Sequence, residues 1–395
     1  MVCIEYIERV YLSIRIGVVA VNNSPLNLSS RLLVDVKRYA VSPHEHSPHA
    51  YGADCPCFII PRDVLERFAK DKKLSDGQRK SFEDAAKFET EWRKVRIVQS
   101  KLSRSARSIL PSGAAAVGPP AITVSDCAHG TALPGTPIAN PEASKDLTAK
   151  RAFVETTAVA EFYLSVFGRN SVDNASKTLM SSIHYSVNYN NAFWNGSQMT
   201  YGDGDGNIFL DFTKSNDVIA HELTHGVTQF SAGFAYSNEA GGLNESMSDV
   251  FGSMFRQWRA KQMVTKADWL IGKDIMGPGA KAKGYSCLRD LSSPKAKHCL
   301  APQPTNFSEY QNGMDPHYSS GIPNFAFYKA ATAIGGKSWE KTGKIWYQAL
   351  TGFPLNPNMK MSVFANRTRA IAESLFPAEP PVKDAIHKAW TEVGL

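Results

Sequence analysis

The apolar residues of AGGLNESMSDVFGSMF fall at Leu243, Met247, Val250, Phe251 and Met254, the spacing of one face of an α-helix. Two further helical patterns lie far upstream, PRDVLERFAKD and SDGQRKSFEDAAKFETEWRKV, and Ser75 or Asp76 can cap the second. The region before position 215 is different. It is rich in Tyr, Phe, Asn and Gly and carries strand and turn signals, whereas 245 to 395 is dominated by longer helical patterns.

Between these regions lies DVIAHELTHGVTQF, at 217 to 230, with His221 and His225 four apart and Glu222 directly after the first. On a helix, residues four apart share a face, so both imidazoles can reach one metal ion while Glu222 sits on the flank. A zinc ion held by neutral His nitrogens polarises water, and a neighbouring carboxylate can take the water's proton during attack on a carbonyl. A third ligand is still needed. Glu245 can complete a His₂Glu set, and Asp249, one turn on, is placed to accept a hydrogen bond from a ligand His and fix its tautomer. A solvated acidic helix would look the same in isolation; its coincidence with the histidine pair favours the metal site.

Composition narrows the class. A chain of 395 residues with 43% hydrophobic residues buries a sizeable core and has room for two or three domains. The net charge of +7 comes without a long basic run or an aromatic-interleaved patch, so no nucleic-acid role is expected. Basic residues gather in EWRKVRIVQSKLSRSARS at 91 to 108, and the small-residue run PSGAAAVGPPA follows at 111 to 121. That shift reads as an exposed, protease-accessible linker whose cleavage would release a body of about 275 residues. The N-terminal MVCIEYIERVYLSIRIGVVAV is interrupted by Glu5, Glu8, Arg9 and Arg15, which makes it a poor secretory segment and no membrane span. Six scattered cysteines do not form a disulfide framework; Cys287 and Cys299 could pair across a loop, and Cys55-Pro56-Cys57 could bind a metal, although free thiols are the commoner outcome.

From about Val124 to Leu395 the chain resembles the thermolysin-like metallopeptidases. The resemblance is carried by SVFGRNSVDN at 165 to 174, NYNNAFWNGSQMTYGDGDG at 188 to 206, HELTHGVTQFSAG at 221 to 233, GGLNESMSDVFGS at 241 to 253 and GKIWYQAL at 343 to 350. It implies an α+β fold of two lobes: an N-terminal α/β lobe with a twisted, largely antiparallel sheet, and a mostly helical C-terminal lobe, with the zinc helix between them. It implies His221, His225 and Glu245 as ligands of one catalytic zinc ion and Glu222 as general base. Tyr236 and His317 match the oxyanion-stabilising side chains. Asn191, Ala192 and Trp194 match the edge segment that binds the peptide backbone, and Arg289 matches the arginine that grips the carbonyl beyond the scissile bond. Phe209, Phe212, Val218, Ile271, Ile275 and Leu288 match the pocket for the residue after the cut. Phe212 stands where a leucine is usual, so the pocket is expected to be shallower.

This sequence departs from the family near His317, where Asn312 occupies the position of an aspartate that orients the histidine; Asp315 is the candidate replacement. The double-calcium site is expected to be absent: Asp217, Asp268 and Asp274 match it, but Arg256, Leu270 and Lys273 replace three glutamates. Residues 55 to 100 resemble the short prosegment of protealysin-like members, with Arg62 and Asp63 disrupting the usual proline pair. The expected organisation is a leader without assignment at 1–54, prosegment and cleavable linker at 55–120, an N-terminal catalytic lobe with the zinc helix at 121–232, and a C-terminal helical lobe at 233–395.

The expected activity is hydrolysis of peptide or protein substrates on the N-terminal side of apolar residues by a secreted, monomeric enzyme held latent by its own prosegment. A zinc aminopeptidase would share His-Glu-x-x-His and a later glutamate, but no exopeptidase motif is evident. A metzincin would need a histidine at position 231, where Ser231 stands. A catalytically silent zinc or peptide-binding protein is the alternative from another class; the presence of Glu222, Tyr236 and His317 counts against it.

Overall fold

A computed structural model of the chain describes residues 57–103 and 118–395, with side chains from 57–91 and 118–395. The chain divides into Met1–Ala50, outside the described residues, and Tyr51–Leu395. Also outside lie the rest of the expected leader, Cys55 and most of the small-residue linker.

The first described residues form strand β1 (Cys57–Phe58), followed by helices α1 (Arg62–Ala69) and α2 (Asp76–Ser103). After the linker come β2 (Ile122–Asp126), β3 (Thr136–Pro137), α3 (Leu147–Phe167), β4 (Leu179–Ile183), β5 (Ala192–Trp194) and β6 (Met199–Tyr201). All six strands join one sheet in the order β1-β5-β6-β4-β2-β3. It is mixed: β2–β4 and β4–β6 pair parallel, and the other three pairings are antiparallel. Residues 57–58 thus supply an edge strand, a mode of binding in which backbone hydrogen bonds give affinity and side-chain pockets give selectivity.

Helix α3 starts where Asp146 accepts a hydrogen bond from the Thr148 N–H, and ends at Gly168, whose φ of 68° suits a residue without Cβ. It packs against the sheet and against α4 (Asn216–Gln229), which carries the two histidines. Helix α4 is buried on all sides and lies along α5 (Asn238–Arg259). Their close approach depends on Gly252, because a Cβ there would lie 2.8 Å from the carbonyl oxygen of Asp217.

Beyond α5, a small ribbon of β7 (Leu270–Ile271) and β8 (Arg289–Asp290) flanks the short helix α6 (Pro278–Ala282). After turns and irregular chain from 291 to 315, the rest is mainly helical, with α7 (Pro316–Ser319), α8 (Gly321–Ile334), α9 (Lys341–Thr351), α10 (Met361–Leu375) and α11 (Pro380–Glu392). Its core includes Trp346 stacked on Trp390 with centroids 5.7 Å apart. The two lobes follow the order of patterns in the sequence. Among the described residues, no helix is long and apolar enough to cross a membrane.

Candidate active site

Helix α4 presents His221 and His225 on one face, with their Nε2 atoms 3.0 Å apart. Helix α5 brings Glu245 opposite them, at 3.5 Å from His221 Nε2 and 3.6 Å from His225 Nε2. All three side chains are buried. The other nitrogen of each ring is already engaged. His221 Nδ1 lies 3.0 Å from Asp249 Oδ1; His225 Nδ1 lies 2.9 Å from Asn244 Oδ1 and 3.0 Å from Ser248 Oγ. With Nδ1–H donated to these acceptors, each Nε2 lone pair faces the shared space, the tautomer that metal ligation requires.

The electrostatics favour a cation at this point. Burial pushes His225 down to about 3, which keeps it neutral. At His221, burial is outweighed by Asp249 and Glu245, and carboxylates on both sides favour positive charge there, whether a proton or a metal ion. Glu245 Oε2 has no hydrogen-bond partner, and neither does either carboxylate oxygen of Glu222. A buried carboxylate without a partner is costly. The donor set of two imidazoles and a carboxylate is that of an open zinc site, and these residues fit such an ion. Complete burial pushes Glu222 up to about 8, with Glu245 adding to the rise and His221 opposing it.

A second tier holds this arrangement. Arg289 clasps Asp249 with two bonds of 2.7 Å, Nε to Oδ2 and Nη2 to Oδ1, and Asn324 Nδ2 donates to Oδ2 at 2.9 Å. Asp249 therefore stays ionised beside His221: burial alone would raise its pKa, but the Arg289 charge and the His221 contact bring it to about 2. Tyr236 donates its hydroxyl proton to Glu245 and stands 3.3 Å from His317 Nε2. His317 Nδ1 meets Asp315 Oδ1 at 2.7 Å, and burial, which would lower the His317 pKa, is overcome by Glu245 and Asp315, raising it to about 9.

Asp315, not Asn312, is therefore the side chain that reaches His317. Asn312 is exposed and accepts from Tyr310 OH at 3.4 Å, whereas Asp315 caps α7 by accepting from the His317 N–H and turns the same oxygen to the ring.

The segment Phe58–Ile60 runs through this site as an extended peptide. Phe58 pairs with Phe193 across β1 and β5, and Ile59 N–H donates to Ala192 O at 3.1 Å. Asn191 receives Ile60 N–H at 3.0 Å and donates to Ile60 O at 3.3 Å. Arg289 Nη1 donates to Ile59 O at 3.0 Å, and His317 Nε2 meets the carbonyl of Phe58. The Phe58–Ile59 peptide bond is thus held between His317 and Arg289. Trp194 pairs with Cys57 across β1 and β5, and its indole donates to Gln229 Oε1 at 2.8 Å, fixing β5 to the end of α4.

The residues expected to line the apolar pocket come from three places in the chain. Phe209, Phe212, Val218, Ile271, Ile275 and Leu288 are all buried; the Phe209 and Phe212 rings are 5.6 Å apart, and Leu288 N–H bonds Ile271 O at 2.9 Å.

Sequence reading did not find Asn244, Ser248 or Asn324. Asn324 had a signal, as a lone amide in the apolar stretch GIPNFAFYKA. Asn244 and Ser248 had none, because their roles depend on the facing helix.

Known proteins share this architecture. The description "Thermolysin metallopeptidase, catalytic domain" matches residues 124–229, and "Thermolysin metallopeptidase, alpha-helical domain" matches 232–395. An extracellular metalloprotease of Pectobacterium carotovorum subsp. carotovorum is 42% identical over 259 residues, covering 63% of this chain and 73% of that one. Protease PrtS of Photorhabdus sp. (strain Az29) is 37% identical over 284 residues, covering 69% and 76%. The solved precursor of protealysin, a metalloproteinase from Serratia proteamaculans, superposes with a TM-score of 0.73 at 35% identity, over 86% of this chain and 99% of that one. With its two-lobed fold, its His₂Glu donor set and these relatives, the chain belongs to the thermolysin family of zinc-dependent metalloendopeptidases.

Proposed function

We propose that the described chain is the latent precursor of an endopeptidase in which His221, His225 and Glu245 hold the catalytic zinc and Glu222 is the general base. The observation that carries this reading is the pair of unpartnered Glu222 oxygens, buried beside three convergent ligand atoms. Zinc bound there supplies Lewis acidity, polarising the scissile carbonyl and making an attacking water more acidic. Glu222 would take the proton of the attacking water and return it to the leaving amine. His317 and Tyr236 donate to the oxygen that gains charge, and Asp315 keeps the His317 ring oriented. Asn191, Ala192 and Arg289 align the substrate main chain, the work they do here on residues 58 to 60.

This register supports the assigned subsites: with Phe58 O at His317, Ile59 is the residue after the susceptible bond, in agreement with a preference for an apolar side chain there. We further assign 55–120 to prosegment and linker, 121–232 to the catalytic lobe and 233–395 to the helical lobe, and infer secretion from the extracellular relative. Hydrolysis of casein or of a furylacryloyl dipeptide by matured protein, lost on chelation and restored by zinc, is the expected result. Chelator-resistant hydrolysis, or zinc-replete protein that binds peptides without cutting them, would overturn it.

A further inference from the structure

The segment that carries Leu288 and Arg289 is paired with the strand-like stretch around Cys299. Ser286 N–H donates to His298 O and Leu300 N–H to Cys287 O, each at 2.9 Å, which sets Cys287 directly beside Cys299. Both side chains are buried and their sulfurs are 3.9 Å apart. The bridge is parallel, and neighbouring strands lie about 4.7–4.9 Å apart, within the Cα span of about 4.4–6.8 Å that a disulfide bridges, so rotation of the two side chains brings the sulfurs together.

We propose that Cys287 and Cys299 form a disulfide that holds the Arg289-bearing segment in place once the prosegment has left. In the precursor, the prosegment itself braces this segment. Arg67 Nη2 donates to Leu300 O at 2.9 Å, its guanidinium lies 5.5 Å from the Tyr285 ring centre, and Asp71 pairs with Lys283 at 2.6 Å. Arg289 adds its bond to Ile59 O. Cleavage and release remove all four ties at once, and a covalent link closing the short loop between the two cysteines limits the opening of that segment. A small-molecule disulfide serves as oxidant: the two thiols lose two protons and two electrons, the Sγ–Sγ bond forms, and the oxidant leaves as two thiols. The relative named as extracellular acts in a compartment that permits such chemistry.

His298 adjoins the pair, and its Nε2 lies 3.0 Å from Asp290 Oδ2, so the competing occupant is a metal ion held by two sulfurs and an imidazole. Peptide mapping separates the two without any use of hydrolytic activity. Full-length Glu222→Gln protein, incubated with oxidised glutathione and digested with trypsin without reduction, should yield peptide 284–289 linked to peptide 298–329, and reduction should release them. In matured wild-type enzyme, reduction by a phosphine should shorten the half-life at elevated temperature several-fold with the zinc content unchanged. The Cys287→Ser/Cys299→Ser variant should show the short half-life with and without reductant. Recovery of both cysteines as free, alkylated thiols would overturn the proposal. So would a second equivalent of zinc that the double variant lacks.

Discussion

Arg289 Nη1 donates to the main-chain carbonyl of Ile59 at 3.0 Å while its Nε and Nη2 clasp Asp249, the partner of His221. One guanidinium thus connects the prosegment to the candidate zinc ligands. Because residues 58–60 occupy the donors that a substrate needs, the intact chain should be inactive until it is cut in the 100–120 linker. Mass spectrometry of the active species should find N-termini in that stretch, and full activity of uncut protein would sink the idea. Asn191→Ala in the matured enzyme should lower kcat/KM by roughly 10- to 30-fold, the equivalent of two hydrogen bonds of about 1 kcal/mol each.

Glu222→Gln should abolish peptide hydrolysis, a loss of at least about 10²-fold for a missing general base, and should leave one zinc bound. Glu245→Ala should lose metal and activity together. Metal analysis beside the assay distinguishes the two, and a Glu222→Gln enzyme cleaving at near-normal rate would exclude the mechanism.

Peptide-library profiling should show Leu, Val or Ile preferred over Phe after the cut, by about 1 kcal/mol, because Phe212 adds bulk beside Phe209 in the pocket. Preference for a charged residue at that position would contradict the assignment of Phe209, Phe212, Val218 and Leu288.

Thermal inactivation should be nearly indifferent to millimolar calcium. Asp217 and Asp274 both face Arg256, at 3.4 and 2.7 Å, and Asp268 pairs with Lys273. The Asp217 carboxylate is further satisfied by the Gly272 N–H at 2.6 Å and by Ser215. Two cations among three carboxylates repel a divalent ion that needs six to eight oxygens. A large calcium-dependent gain in half-life, removed by Asp217→Ala, would show that the double site survives.

Stability should fall on the alkaline side through His184. The Asp203 hydrogen bond is the main cause that raises its pKa to about 9; burial opposes the rise and the bond to Asp146 adds to it. A folded pKa above the unfolded value of about 6.5 means that the stabilisation is complete below that pH and disappears as pH rises through 9. On the order of 1–3 kcal/mol is at stake, since a tenfold gain in proton affinity on folding is worth about 1.4 kcal/mol before solvent screening. Thermal melts of inactive Glu222→Gln protein from pH 6 to 10 should show the decline, and His184→Gln should flatten it.

His221, Glu222, His225 and the α5 residues Glu245 and Asp249 were legible in the chain because helical periodicity alone places them on definable faces. The order of patterns likewise separated a sheet-bearing half from a helical half. Three-dimensional packing decided what periodicity cannot encode. Which carboxylate reaches His317 depends on where a four-residue helix begins, and the choice fell on Asp315, its N-cap, over exposed Asn312. Asn244 and Ser248 meet His225 only because α4 and α5 lie side by side, with Gly252 permitting the approach. The two-residue strand at Cys57–Phe58 carries no pattern long enough to read; its conformation comes from pairing with β5 and from hydrogen-bond partners more than a hundred residues away.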